Sequence, residues 1–289
     1  MACPQLRFLS RSDTQATAMV LSLTGWMDGG EVSTGSVGFL IEQLHMRPLA
    51  EIDPEDFYIL NFPGPMDVSA LFRPDVKIED GLIRRFAMPS NVFHGSPGHP
   101  LILFQGREPH IHWGGYLECL LEAASRFGVR RIYFVGSYSG LTPHTREPRI
   151  YASVSDASLK PELEQYGVRF STYEGPGSLV THLTSVASAR GVEVVSLVAE
   201  IPAYVQGRNP KCIEAMVRRL AAMLDLRVDL DLMRRASDLF EERLTAAVQS
   251  REGLPEQIRR LEAEYDQELF NTEMGDLRQW LQDQGIRLD

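Results

Sequence analysis

Short apolar runs alternate with segments of helical periodicity along the first two thirds of the chain. The first run, residues 18–23 (AMVLSL), is bounded by polar residues and a glycine turn, which predicts a buried strand. A glycine-rich turn then leads to apolar positions at helical spacing, which predict a helix that ends before Pro48. The same order repeats between residues 101 and 198. Strands that alternate with helices predict an α/β fold with a largely parallel central sheet.

Two segments depart from this alternation. Residues 76–89 have Asp80-Gly81 at their centre, a dipeptide that suits the positive φ angles of a two-residue hairpin turn. They predict an inserted hairpin at an edge of the sheet. After Pro210 the apolar pattern is helical only, with a break at residues 253–255. We therefore predict an α/β core domain over residues 1–224 and a C-terminal helical extension over residues 225–289.

Composition and charge narrow the class of protein. The 289 residues are 44% hydrophobic and 24% charged, which is typical of a globular protein and excludes a disordered or fibrous one. The formal net charge of −10 opposes binding to nucleic acid or to an anionic membrane. Residues 225–289 carry 9 basic and 16 acidic side chains, and therefore most of the net negative charge. They form either a solvated amphipathic surface or a docking surface for a neighbouring subunit.

The cysteines and the N-terminus indicate the compartment. Cys3, Cys119 and Cys212 are an odd number without metal-ligand spacing, so they predict neither a disulfide framework nor a zinc site. Such usage suits a reducing environment. Residues 1–13 lack the apolar core of a signal peptide, and no uncharged apolar run reaches the ~18 residues of a membrane span. We predict a cytoplasmic protein without a cofactor.

The first candidate site is the glycine-rich turn after the first predicted strand. Asp28, Gly29 and Gly30 precede a predicted helix there. Glycines in such a turn let backbone amides approach an anion, and Asp28 could bind a polar group or cap the helix. The spacing differs from the dinucleotide fingerprint G-x-G-x-x-G. A tight turn with a helix cap is the interpretation that we prefer.

The second candidate site is the segment GSYSG, residues 136–140. A nucleophile elbow of the pattern G-x-S-x-G needs serine at its centre, but Tyr138 stands there between Ser137 and Ser139. His144 follows in the same predicted loop, at the carboxyl end of a strand, where open α/β sheets bind ligands. The segment therefore predicts either a ligand site or a loop held by its own hydrogen bonds, and we favour the loop.

Two further turns carry acidic residues. Glu108 precedes His110 and His112, but this histidine pair needs a third ligand to bind a metal and no spacing selects one, so we predict no metal site. Glu174 and Ser178 precede a helical segment, where Ser178 would cap the helix or help to bind an anion. In a parallel sheet these four turns would meet at one edge. The crevice between them is the predicted ligand site.

Several segments together resemble the proteasome assembly chaperone family, in its standalone bacterial and archaeal branch. The resemblance covers roughly residues 18–245 and rests on the order and spacing of the motifs rather than on any single motif. The motifs are LTGWMDGG (23–30), FQGREPH (104–110), IYFVGSYSG with PHTR (132–146), YEGPGSLVTHL (173–183), AEIPAYVQGRNPKC (199–212) and LMRRASDLFEERL (232–244).

The resemblance implies a fold, a partner and an assembly. The fold is a three-layer α/β sandwich similar to that of nucleoside phosphorylases, whose pocket would map by position onto Asp28, Glu108, Ser137 and Glu174. Eukaryotic members chaperone the assembly of the proteasome α ring, which implies proteasome subunits as partners, and prokaryotic members are expected to be homotrimers. We therefore predict a non-enzymatic assembly factor that binds protein. The alternative is a protein or enzyme that binds a nucleoside or an anion in the crevice.

Overall fold

The computed structural model describes residues 3–9 and 14–283, which form eleven strands and eight α-helices. The strands are β1 (Leu6–Phe8), β2 (Ala18–Thr24), β3 (Arg47–Ile52), β4 (Asp75–Glu79), β5 (Leu82–Ala87), β6 (Val92–Ser96), β7 (His99–Arg107), β8 (Arg131–Gly140), β9 (Ile150–Val154), β10 (Arg169–Phe170) and β11 (Glu193–Pro202). The helices are α1 (Val32–Gln43), α2 (Met66–Ala70), α3 (Trp113–Phe127), α4 (Lys160–Glu164), α5 (Leu179–Ala187), α6 (Pro210–Met223), α7 (Asp231–Gln249) and α8 (Leu254–Asp283).

Nine strands form one sheet in the order β1-β3-β6-β7-β2-β8-β11-β9-β10. The four central strands, β7, β2, β8 and β11, are parallel to one another. Antiparallel pairs extend the sheet on both sides, through β6 next to β7 and β9 next to β11. The predicted α/β fold with a parallel centre is confirmed, because the apolar runs of β2, β7, β8 and β11 suit strands that are covered on both faces.

Two hydrophobic cores lie on opposite faces of this sheet, which makes the molecule a three-layer sandwich. One face packs against the apolar sides of α3 and α5, through residues such as Tyr116, Leu120 and Leu183. The other face packs against α1 and α6, through residues such as Leu40 and Met216. Helices α7 and α8 lie outside these layers, with α7 against α6 and α8 against α7.

The inserted hairpin is confirmed, but its predicted place is wrong. Strands β4 and β5 pair with each other in a separate two-stranded sheet, joined by Asp80 and Gly81 with φ angles of 51° and 75°. The flanking strands β3 and β6 pair directly with each other in the main sheet. The chain between them therefore leaves the carboxyl edge of the sheet and returns to it, and the hairpin is not an edge strand.

The described part of the chain also contains a disulfide, which the cysteine count did not predict. Cys3 and Cys119 are joined across a sequence separation of 116 residues, and Cys212 is free and buried. The bond links the N-terminal segment to the buried face of α3. Such a separation leaves no spacing signal in the sequence, so only the fold brings the two residues together.

None of the helices among residues 3–9 and 14–283 is both long and apolar enough to cross a membrane.

Candidate functional site

The candidate site lies at the carboxyl edge of the four parallel strands. Turns 25–30, 108–112 and 141–149 follow β2, β7 and β8 at this edge, because parallel strands end on the same side. Helix α5 also begins here, since it runs antiparallel to β11, the strand that follows it. The fold therefore brings the first three predicted turns and the start of α5 to one edge, whereas β10, the strand before the fourth turn, runs antiparallel to the central strands. The contacts of each side chain decide which groups stay free for a ligand.

Asp28 holds the start of α1. Its carboxylate accepts hydrogen bonds from the backbone amide of Thr34 at 3.0 Å and from the Thr34 hydroxyl at 2.7 Å. Burial raises the pKa of Asp28 above its ordinary value, although the two bonds from Thr34 oppose that rise. The carboxylate therefore acts as a helix cap, as the preferred interpretation of the turn predicts.

Gly29 and Gly30 allow two other segments to approach the turn. A Cβ atom at Gly29 would lie 2.9 Å from Cδ1 of Ile201, and one at Gly30 would lie 2.9 Å from Cβ of Asn209. Gly30 also has a φ of 64°, which favours glycine. Its carbonyl accepts a hydrogen bond from the Asn209 amide at 2.8 Å. Close packing against Ile201 and Asn209 thus gives both glycines a structural role, and contact of this turn with an anion stays a prediction.

Glu108 joins two turns through its two carboxylate oxygens. Oε2 accepts a hydrogen bond from the Trp26 amide at 3.4 Å, and Oε1 accepts one from the Leu179 amide at 3.2 Å, at the first residue of α5. A negative charge there suits the positive end of the helix dipole. The side chain that the sequence suggested as a ligand group therefore also holds the edge together.

The serines of GSYSG have different surroundings. Ser137 is buried, and its hydroxyl donates to the Gly29 carbonyl at 2.6 Å while its amide donates to the Met27 carbonyl at 2.9 Å. Ser139 is exposed, and so is Tyr138 between them. Ser137, near the end of β8, is thus bonded to the turn of residues 25–30, and the choice between a ligand site and a loop held by hydrogen bonds stays a prediction.

His144 is buried on the side of the edge that faces α7. Its Nδ1 lies 2.8 Å from the Tyr204 hydroxyl, and its Nε2 lies 3.1 Å from the Thr245 hydroxyl. Burial lowers the pKa of this imidazole, so the neutral form is favoured. The cavity beside it measures about 10 Å³, which leaves room for no more than a water molecule. His144 therefore connects the core to the C-terminal extension.

The fourth turn combines an exposed residue with a helix cap. Glu174 is exposed, whereas Ser178 is buried and forms a capping box with Thr181 at the start of α5. The capping role that the sequence offered for Ser178 is present. A ligand crevice formed by these nine residues stays a prediction, with Ser139 and Glu174 as the members that are exposed.

The two loop histidines have local roles too. His110 accepts a hydrogen bond from the Ile59 amide at 3.1 Å through Nδ1, and His112 precedes α3 with a φ of 56°. Across residues 3–9 and 14–283, no cluster of three histidine, cysteine or acidic side chains has a geometry that could hold a metal ion.

A buried acidic residue that the sequence pattern did not single out organises the edge. Glu200, at the end of β11, accepts hydrogen bonds from the Leu141 amide and the Thr142 hydroxyl, each at 2.7 Å. It also pairs with Arg149 at 3.3 Å, with both side chains less than 10% exposed. The signal was a single carboxylate in the otherwise apolar strand SLVAEIP.

Exposed aromatic and apolar side chains lie on the strand end and turns at this edge and on the segment that leads into α5. Trp26 is 59% exposed, Tyr173 is 67% exposed and Leu141 is 62% exposed. Tyr138, near the end of β8, and Ile111, in the turn after β7, are exposed as well. We call these five residues the aromatic rim. The hydrogen bonds of Glu108, Ser137 and Glu200 fix the turns that carry it, so the edge presents large side chains on a supported backbone.

Comparison with known proteins defines the class to which this fold and edge belong. The model of the PAC2 family matches residues 22–248, and the chain belongs to that family. The family resemblance inferred from the motifs is confirmed. A comparison with curated proteins gives no match.

Solved structures agree with this assignment. A proteasome-assembly chaperone homologue from Mycobacterium tuberculosis is 26% identical, with a TM-score of 0.73, over 84% of this chain and 100% of that one. A second M. tuberculosis protein, of unknown function, is 19% identical with a TM-score of 0.81, over 96% and 94% of the two chains. An archaeal proteasome activator from Pyrococcus furiosus is 22% identical with a TM-score of 0.61, over 84% and 97%. The last two likenesses concern the fold alone.

Proposed function

We propose that this chain is a non-enzymatic assembly factor that binds a protein partner, a proteasome subunit, through the aromatic rim. The observation that carries the proposal is the contrast at the sheet edge between polar side chains that bond within the fold and aromatic side chains that are exposed. Glu108 and Ser137 are bonded there to the chain's own backbone, whereas Trp26, Tyr138 and Tyr173 are exposed aromatic side chains. Aromatic side chains on a rigid support are typical of the residues that dominate protein interfaces.

The comparisons support the choice of partner. PAC2 family membership and the likeness to a proteasome-assembly chaperone homologue both favour an assembly role. We further propose that the protein works in the cytoplasm as a homotrimer. The Cys3–Cys119 disulfide is unusual for a reducing compartment, so counting free thiols in protein alkylated at the moment of lysis tests the location.

The test of the function is an affinity capture from the protein's own cells, with proteasome subunits quantified by mass spectrometry against a tag-only control. We expect enrichment of those subunits with the wild-type chain. Replacing Trp26 and Tyr173 together by Ala should reduce the captured amount at least about tenfold, since truncating an aromatic hot spot of an interface costs about 2 kcal/mol or more.

The matched control is Phe270→Ala, because Phe270 is an aromatic residue with 57% exposure on α8 and is not a member of the rim. It should capture as much as the wild type. Absence of proteasome subunits from the wild-type capture would refute the proposed partner. Equal capture by the rim variant and the wild type would refute the proposed surface.

A further inference from the structure

Exposed apolar side chains are concentrated in the insertion between β3 and β6. Among the described residues, nine of the twenty exposed large hydrophobic side chains lie between residues 62 and 86. They are Phe62, Met66, Val68, Leu71, Val76, Ile78, Leu82, Ile83 and Phe86. A concentration of this kind on a surface marks an interaction site.

The hairpin presents four of them on one face. Val76 lies opposite Phe86, and Ile78 lies opposite Ile83, so each pair shares a face of the ribbon. Val76 and Ile78 are two residues apart on β4 and therefore share the same face. The register shift between Lys77 and Ile78 is what places Ile83 there. We call Val76, Ile78, Ile83 and Phe86 the hairpin face.

This ribbon needs a partner for its stability. Every residue of β4, and all of β5 except Ala87, is exposed, and the four hairpin-face side chains are between 52% and 67% exposed. A two-stranded ribbon without a packed face is marginally stable in water at best. We therefore expect the hairpin to pack against a surface of another molecule, because contacts within the single chain leave it exposed.

A second apolar surface lies open elsewhere on the chain. A groove of about 540 Å³ runs between α7 and the segment that joins β11 to α6. Its walls include Val205, Pro210, Leu239, Phe240 and Leu244, with Arg243 among them. We call this surface the α7 groove.

The two surfaces lie on opposite sides of the sheet's carboxyl edge. The insertion that carries the hairpin returns to the sheet at β6, and the groove begins after β11, four strand positions away. At the usual strand spacing this is a separation of ~19 Å between the attachment points. The residues that line the groove come only from 204–210 and α7, so the chain's own hairpin does not fill it.

Charge also fits a contact between the two surfaces. Asp80 stands at the tip of the hairpin, and Arg243 lines the groove. Neither side chain has an ion-pair partner among the described residues, although the other acidic residue near the tip, Glu79, pairs with Lys77 at 2.6 Å. An unpaired carboxylate on one surface thus matches an unpaired guanidinium on the other.

We propose that the hairpin face of one copy of this chain packs into the α7 groove of the next copy. This inference rests on the self-association proposed above and specifies its surfaces. Because the two contacting surfaces differ, the arrangement is head to tail, and it closes into a ring when the rotation between copies fits. Contact between two hairpins would bury little of the ~800 Å² per partner that stable interfaces use, whereas in a ring every copy buries both surfaces.

The first experiment measures mass in solution by light scattering for the wild type, Ile83→Glu and Leu239→Glu. Ile83 and Leu239 are 67% and 45% exposed, so both variants should fold, which circular dichroism checks. We expect the wild type at three times the chain mass of 32.5 kDa and both variants at one chain mass. The control Phe270→Glu changes an equally exposed residue outside both surfaces and should keep the wild-type mass.

The second experiment mixes the two variants in equal amounts. Ile83→Glu retains an intact groove and Leu239→Glu retains an intact hairpin, so one interface can form and the mixture should give dimers that do not close. A mixture that stays monomeric would overturn the proposal. It would also be overturned if Leu239→Glu alone kept the wild-type mass, as expected for hairpin-to-hairpin contact or for a groove that binds a small molecule.

The outcomes separate this inference from the proposals on which it rests. A monomeric wild type would refute both self-association and the paired surfaces. An assembled wild type whose mass neither variant changes would refute the paired surfaces alone. Capture of proteasome subunits by the monomeric variants is measured independently and reports only on the aromatic rim.

Discussion

Glu108 bonds to two segments that lie 82 and 71 residues away along the chain, at Trp26 and Leu179. Replacing Glu108 by Ala removes both acceptors and a favourable charge at the start of α5. We expect a loss of about 1–2 kcal/mol in the free energy of unfolding, measured by urea denaturation.

Glu174→Ala is the matched control for this change, because Glu174 is an exposed acidic residue in the segment that leads into α5. Its effect should stay within about 0.5 kcal/mol, as is usual for surface substitutions. Equal effects of the two substitutions would contradict the structural role that we assign to Glu108.

His144 makes stability depend on pH, because burial lowers its pKa in the folded protein. Its stabilising contribution is complete above the unfolded value of 6.5 and is lost as the pH falls, since the unfolded chain then binds the proton more readily. We expect the urea midpoint to fall between pH 7.5 and pH 5.5, and to fall less in His144→Gln.

Other titrating groups bear on this measurement. Burial also lowers the pKa values of His94 and His110, so the variant should retain part of the wild-type slope. Asp28 acts in the opposite sense, because burial raises its pKa above 3.8 and the folded protein then binds the proton more readily than the unfolded chain as the pH falls. The exposed His182→Gln serves as control, and a variant slope equal to the wild-type slope would exclude the role of His144.

At the scale of elements, ion pairs attach the C-terminal helices to the core. Asp266 on α8 pairs with Arg146 through two bonds of 2.7 and 2.8 Å, and Glu268 pairs with Arg149 at 2.5 Å and with Arg169. Acidic residues of the extension thus neutralise basic residues after β8 and at β10. The extension is therefore neither wholly solvated nor free for another subunit on that side.

These pairs differ in burial and should differ in energy. Arg149→Ala leaves the buried carboxylate of Glu200 without its cation, and we expect a loss of about 3 kcal/mol. Arg146→Ala removes a pair that is 33% and 51% exposed, so its cost should stay below about 1 kcal/mol. Urea denaturation of both variants checks the order, and a reversed order would contradict the assignment of Glu200 as a buried organiser.

Strand recognition from sequence depended on the surroundings of each strand. Strands β2, β7, β8 and β11 are buried on both faces, so their apolar runs were recognisable. Strand β3 begins with the exposed pair Arg47-Pro48, and β6 contains His94 and Gly95, so neither has a clear apolar pattern. They are strands because each pairs with an antiparallel neighbour.

The domain division between residues 224 and 225 stays a prediction.

At the scale of the whole molecule, we expect assembly to protect the hairpin. Hydrogen exchange measured by mass spectrometry at concentrations above and below the assembly midpoint should show β4 and β5 exchanging slowly in the oligomer and rapidly in the monomer. Strands β2 and β8 lie at the centre of the sheet and should stay protected at both concentrations. Equal exchange of the hairpin at the two concentrations would contradict its role in assembly.

The sequence by itself determined the succession of the central strands and helices along the chain. It also determined the Asp80-Gly81 hairpin, the helical C-terminus and the family. These features are carried by local periodicity, turn chemistry and motif order, which act over a few residues or along the chain. The capping role of Ser178 also belongs here, because a cap needs only its own helix.

Only the tertiary structure decided how the candidate site residues are used. Glu108, Ser137 and His144 could equally have faced a ligand, and no local pattern in the sequence distinguishes a ligand contact from a contact within the fold. Each contacts at least one group that is not its sequence neighbour, such as Gly29 for Ser137 and Thr245 for His144, at separations of 108 and 101 residues. The same holds for Cys3 with Cys119 and for Glu200 with Arg149, because only folding brings such groups together.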